Sequence, residues 1–275
     1  MNIIRIAIIA FLFLSSNTYA FDIKVAPKDV IPGDVFSIKV KDIGSATGEA
    51  EFNGNKIDLQ TAGDDLIALV PVPLDTESGK YSITVRYGKE EQIASVEVKA
   101  HKFKTIQLTL PEGKVILSPK NLERAQREAK LQSDVWFLST VMAWEGNFVS
   151  PTGTPVSTEF GLNRIINKKR NSVHRGTDFR GKKGAPVRSI NSGRVVLAAN
   201  LFFGGNTLVI DHGMGLYSIY MHLSKFNVSK GDKVSKEQTV GFVGSTGRAT
   251  GPHLHMSVKL KGVSVNPESL FRLEL

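Results

Sequence analysis

The chain has 275 residues, 41% of them hydrophobic and 22% charged, ordinary for a globular protein and enough for two modest domains or one large one. A formal charge of +9 and a pI of about 9.6 suit an anionic neighbour such as cell wall, envelope lipid or an acidic polymer, while no recognition-helix or stacking-aromatic signature points to nucleic acid. Cysteine is absent, which excludes disulfides, thiolate metal ligands and a lipoprotein anchor.

Residues 1–20 read as a cleaved secretory signal. Arg5 precedes the apolar run Ile6 to Leu14, and small residues close the segment at Ala20. The run is too short to span a bilayer, and no other stretch is long enough. Residues 21–100 read as a small β domain. Alternation in Phe36 to Val40, Tyr81 to Tyr87 and Val96 to Val98 is punctuated by turn signals at Pro32-Gly33-Asp34, Asn53-Gly54 and Ser78-Gly79. This spacing predicts an immunoglobulin-like β-sandwich. Residues 101–150 read as a linker with a helix over 118–140. Ser118 caps it, Pro119 opens it, and Leu122, Ala125, Ala129 and Gln132 share one face. Trp136, Trp144 and Phe148 are expected to pack at the domain junction in preference to binding substrate. Residues 151–275 return to short strands and glycine turns, with a hairpin turn expected at His212 to Gly215. The fold class is all-β: a sandwich, a connecting helix and a second, antiparallel β-sheet domain.

The chemistry lies in that second domain. Side chains alternate along a strand, so His253 and His255 share a face with Ser257, while Leu254, Met256 and Val258 bury the other. Two histidines so spaced can both bind a metal, or divide into one ligand and one catalytic group. In His174-Arg175-Gly176-Thr177-Asp178, Gly176 permits a tight turn that brings His174 and Asp178 to one ion. With His255 the set supplies two imidazoles and one carboxylate, the ligand number of a catalytic zinc that keeps a position open for water.

These pieces, with Glu159-Phe160-Gly161, Asp211-His212-Gly213, Tyr220-Met221-His222-Leu223 and Gly244-Ser245-Thr246-Gly247, make the stretch from Phe160 to Pro267 resemble the lysostaphin/LytM-type zinc metalloendopeptidases of bacterial peptidoglycan. The resemblance implies one Zn²⁺ per chain held by His174, Asp178 and His255, with His222 and His253 as catalytic histidines beside it. It implies an antiparallel β core with an open groove and peptidoglycan as partner. The forward part of the chain resembles soluble envelope members from Gram-negative bacteria, which implies a periplasmic protein, with secretion as the alternative. Asn163 follows the Phe-Gly pair where relatives use an asparagine on substrate, and loop capping is its other reading. The N-terminal domain either shields the groove or docks a regulatory protein.

Three functions compete. Hydrolysis of stem or cross-link peptides leads, because all five metal-site and catalytic positions are present. A catalytically inactive wall-binding relative that activates another hydrolase is the alternative. A glycosidase needs a second carboxylate across the groove, and Asp178 has none in these motifs. No His-Glu-x-x-His helix supplies a glutamate base, so histidine takes that role.

Overall fold

The computed structural model describes residues 21–41, 47–109, 117–136, 140–168 and 170–275. The expected signal segment 1–20 lies outside the described residues. No described helix is long and apolar enough to cross a membrane.

The chain is all-β with two described helices, Pro119–Ser133 and Pro267–Phe271. The N-terminal strands form one hydrogen-bonded path of eight, folded into two layers. Asn55–Ala62 serves both layers: Asn55 to Leu59 pairs with Gly48–Phe52, and Gln60 to Ala62 pairs with Asp65–Pro71. That shared strand gives the expected two-layer unit a barrel-like closure. Phe36, Ile38, Val40, Phe52, Leu66, Ala68, Val70, Ile83 and Val85 fill it.

Two of these strands are buried on both faces. Val35–Lys41 and Asp65–Pro71 pair antiparallel, and residues 66–70 read Leu-Ile-Ala-Leu-Val without polar interruption. Leu66, Ala68 and Val70 point into the barrel, whereas Val35, Ile67 and Leu69 join the core of the second sheet. Both Trp144 and Phe148 lie in that shared core, their rings 5.4 Å apart, as junction packing requires.

The second sheet runs Val156–Thr158, Thr177–Arg180, His253–Leu260, Leu216–Leu223, Gly205–Gly213, Gly193–Leu201 and Lys233–Val234, all antiparallel. Leu254, Met256 and Val258 face the shared core. The opposite face carries His253, His255 and Ser257 at one end. At the other end Tyr217, Ile219 and Val209 pack beneath Trp136, whose ring meets Tyr217 edge-on at 5.3 Å. The N-terminal strands therefore pack behind the histidine-bearing face.

Several local expectations change. The helix ends at Ser133, and no residue of it is fully buried. Its inward side is rotated from the expected stripe: Leu122 and Ala129 are exposed, while Arg124, Ala125, Glu128 and Gln132 turn inward. It is held by polar contacts, Arg124 to the Asn200 carbonyl at 3.3 Å and the Phe202 N–H to Glu128 at 2.6 Å. His212 lies on the Gly205–Gly213 strand, and the hairpin turn is Met214-Gly215, both in left-handed backbone. The linker itself contributes a strand: Thr105–Leu108 pairs in parallel with Asn163–Ile166, which pairs with Arg170–Val173.

His212 is fully buried. Its Nδ1–H donates to the Ser192 carbonyl at 2.7 Å, and Nε2 lies 2.7 Å from Ser218 Oγ. Burial pushes this imidazole down to about 4, although the Ser192 contact pulls it up. Between about pH 6.5 and 4 the unfolded chain therefore binds a proton that the folded chain refuses. Its contribution to stability is complete above that window and declines as pH falls through it. Denaturant midpoints should fall more steeply with acid in the wild type than in His212→Gln, by up to about 3 kcal/mol over the window. Phe148→Ala should cost about 3–5 kcal/mol, the usual range for emptying a buried aromatic site, read from the same unfolding curves at neutral pH.

Candidate metal centre

The centre is built by one strand register. Thr177–Arg180 pairs with His253–Leu260 so that Asp178 lies directly opposite His255 and Arg180 opposite His253. Directly opposed residues share a face, so the carboxylate and the imidazole meet without any loop to place them. Asp178 Oδ1 lies 2.7 Å from His255 Nδ1 and 3.1 Å from His174 Nε2. The two imidazole nitrogens are 3.1 Å apart. Together the three residues form a group able to hold a metal ion, with its ligand atoms within 4.8 Å of one another.

His174 comes from outside the sheet. It follows the Arg170–Val173 strand, and its backbone is clasped by Leu162 and Gly161: its N–H donates to the Leu162 carbonyl at 2.9 Å, and its own carbonyl accepts from Gly161 at 2.8 Å. Its Nδ1–H donates to the Glu159 carbonyl at 2.8 Å. A carbonyl can only accept, so Nδ1 holds the proton and Nε2 presents its lone pair to Asp178 and His255. His174 is only 5% exposed. A buried lone pair facing a carboxylate at 3.1 Å is repulsive unless a proton or a cation stands between them.

Burial would raise the Asp178 carboxyl, but its contacts with the His174 and His255 imidazoles outweigh it and hold it well below the usual carboxylate range. Burial lowers His255, against the stabilising Asp178 contact. Its Nε2 lies 3.0 Å from Ser257 Oγ, which turns Nδ1 inward.

His222 and His253 stand beside this group. Their rings are 4.9 Å apart, and His222 is 6.1 Å from the His255 ring. Each directs its Nδ1–H at a carbonyl, His222 to Thr246 at 2.9 Å and His253 to Gly251 at 2.9 Å. Each therefore leaves Nε2 as the nitrogen that can accept. The Nε2 of His253 lies 3.9 Å from Asp178 Oδ1. Burial pushes His222 down to about 4, with the Thr246 carbonyl opposing. His222 also has φ of 63° within its strand, a left-handed conformation that costs an L-residue about 1–2 kcal/mol. Its own N–H to the Gly204 carbonyl, at 2.7 Å, helps hold it there.

The structure thus brings together His174, Asp178, His222, His253 and His255. Asn163 sits one strand away, its backbone paired with Val173 beside His174. Sequence reasoning missed the three carbonyls of Glu159, Thr246 and Gly251, because backbone acceptors leave no residue signature. It noted Ser257 on the right face but gave it no role. It read Gly176 as permitting the turn between His174 and Asp178, and the residue does lie in a bend there, but a second demand on it was not foreseen. A Cβ there would come within 2.5 Å of the Met256 carbonyl and 2.6 Å of His255 Nε2. That glycine is therefore also needed for close approach to the His253–Leu260 strand. Gly176→Ala should push His255 off Asp178 and weaken divalent-metal retention about 10–100-fold, as loss of an orienting contact does, measured by competition with a chelator.

Residues 172–267 match Peptidase family M23. The chain is 47% identical over 98 residues to the peptidoglycan DD-endopeptidase ShyA of Vibrio cholerae serotype O1, covering 36% of this chain and 23% of that protein. It is 38% identical over 119 residues to the DD-carboxypeptidase/endopeptidase Mpg of Neisseria meningitidis serogroup B, covering 42% of this chain and 27% of that protein. The chain thus spans about a quarter of the length of these curated relatives. A crystal structure from Pseudomonas aeruginosa assigned to peptidase M23 aligns over 88% of this chain and 94% of its own, with 28% identity and a TM-score of 0.66. That alignment takes in the N-terminal strands as well as the second sheet. The histidine-bearing sheet, from 172 to 267, is a domain of peptidase family M23, as the lysostaphin/LytM-type resemblance of its motifs implied.

Proposed function

We propose that the protein is an exported zinc metalloendopeptidase that hydrolyses peptide bonds in peptidoglycan stem or cross-link peptides, working in the periplasm. The observation that carries this reading is the convergence of His174 Nε2, Asp178 Oδ1 and His255 Nδ1 at 2.7–3.1 Å, beside two further imidazoles. Ligand atoms around a tetrahedral zinc lie about 3.3 Å apart, given bonds of about 2.0–2.1 Å, so these three need open only slightly to hold one. Nitrogen and carboxylate donors without thiolate also suit this ion. The names of ShyA and Mpg, an endopeptidase and a carboxypeptidase/endopeptidase, support the substrate class.

When bound, zinc would polarise the scissile carbonyl and lower the pKa of water. The protein's own groups then move the protons. His222 and His253 each offer an accepting Nε2, fixed by a carbonyl behind the ring. Either can take a proton from the attacking water and return it to the departing amine, and either, once protonated, can donate to the developing oxyanion. Both rings are held before substrate arrives, so little reorganisation is needed in the transition state. In this reading Asn163, on the strand beside His174, would hydrogen-bond the substrate peptide. Regulation through a protein docked on the N-terminal strands belongs to the same reading.

The inactive-relative alternative is disfavoured by the presence of all five side chains in one cluster. His174→Ala should lose the stoichiometric zinc and all release of peptides from defined muropeptides, followed by mass spectrometry. His222→Ala and His253→Ala should retain one zinc per chain while turnover falls about 10²–10⁴-fold, the usual weight of a general acid or base. Intact cleavage by His174→Ala would refute the assignment.

A further inference from the structure

The two loops that orient His222 and His253 also carry a cation and an aromatic ring that the catalytic roles leave unused. Gly204 accepts from the His222 N–H, and Thr246 and Gly251 accept from the His222 and His253 rings. These loops are locked to each other. The Arg248 N–H donates to the Phe203 carbonyl at 2.9 Å, and the Asn206 N–H to Thr246 Oγ1 at 2.9 Å. Gly205 and Gly247 approach so closely that a Cβ on either would collide with the other loop's backbone, and both have left-handed backbone. On this rigid platform Phe203 is 42% exposed and stacks edge-on against Phe202 at 5.0 Å. The exposed Arg248 guanidinium lies 4.9 Å over the Phe203 ring.

We infer that Arg248, backed by Phe203, forms a carboxylate-binding subsite beside the candidate catalytic histidines. It would select peptides with a free carboxylate close to the bond to be cut. A guanidinium is the side chain best matched to a planar carboxylate, which it can grip with two parallel N–H groups. The ring beneath it limits its freedom and strengthens the charge's hold through the π face. Arg248 lies two positions after Thr246, whose carbonyl orients His222, so the cation and that acceptor share one loop. The inference rests on the endopeptidase reading and adds a specificity-determining residue to it. A carboxylate at the peptide's C-terminus and one on a side chain present the same group, and the test below distinguishes them.

The test is calorimetric titration of the full-length zinc-loaded protein with three versions of one stem-type tetrapeptide. One has both carboxylates free, and each of the others has one converted to a carboxamide. Wild-type protein should bind one carboxamide about tenfold more weakly than the free acid, the effect of one charge-assisted hydrogen bond. Which carboxamide loses affinity identifies the carboxylate that is read. Arg248→Gln should bind all three alike, and Arg248→Lys should restore part of the difference. Equal binding of the three peptides by wild-type protein, no binding of any, or discrimination that survives in Arg248→Gln, as when the metal itself reads the carboxylate, overturns the subsite. The endopeptidase reading is judged separately, by whether wild-type protein releases peptides from muropeptides.

Discussion

The pairing of Thr177–Arg180 with His253–Leu260 is the constraint on which the rest depends. It sets Asp178 opposite His255, so that a carboxylate and an imidazole from distant parts of the chain share one face. A slip by one residue would carry His253 and His255 into the core and bring Leu254 and Met256 out to the groove. The register is protected by the very residues that would be displaced, because Leu254, Met256 and Val258 are fully buried. Packing on one face of the sheet thus pins the chemistry on the other.

The molecule assigns the two faces of this sheet to different tasks. Behind it, Val35, Ile67 and Leu69 of the N-terminal barrel meet Trp144, Phe148 and Leu270 in a single apolar core. In front, the sheet is left polar at one end and capped by Trp136 at the other. The linker strand Thr105–Leu108 extends the sheet that carries Asn163 and leads to His174, and Phe103 packs against Gly161, whose N–H holds the His174 carbonyl. The N-terminal half therefore supports the centre from behind and from one side. The histidines in turn depend on fixed backbone acceptors. Each ring of His174, His222 and His253 is steered by a carbonyl, which settles its tautomer without using another side chain.

Much of this was legible in the residues. Period-two alternation placed His253, His255 and Ser257 together, and the uneven clustering of histidines with Asp178 pointed to a metal centre without thiolates. The all-β class followed from short alternating runs and glycine turns. What stayed hidden was non-local or lay in the backbone. The run Leu66 to Val70 shows no alternation because both of its faces are buried, so its docking surface could not be separated from its barrel face. The helix face was misplaced because Arg124 and Glu128 turn inward to satisfy backbone groups of another segment, a use of charge that apolar periodicity cannot reveal. Gly176 reads as a turn residue and lies in a bend, but nothing in the sequence shows that its missing side chain also serves the close approach to His253–Leu260. The left-handed backbone at His222 stayed hidden because it lies inside an apolar run that reads as regular strand, where such a φ is uncommon for any non-glycine residue.

The central claim is that one divalent ion is held by His174, Asp178 and His255 together. Anomalous diffraction at the zinc edge, on crystals of the zinc-loaded protein, tests it most directly. The account predicts a single peak within bonding distance, about 2.0–2.2 Å, of His174 Nε2, Asp178 Oδ1 and His255 Nδ1. A peak bonded to a different set of residues, or no peak at these three atoms with zinc in excess, would contradict it.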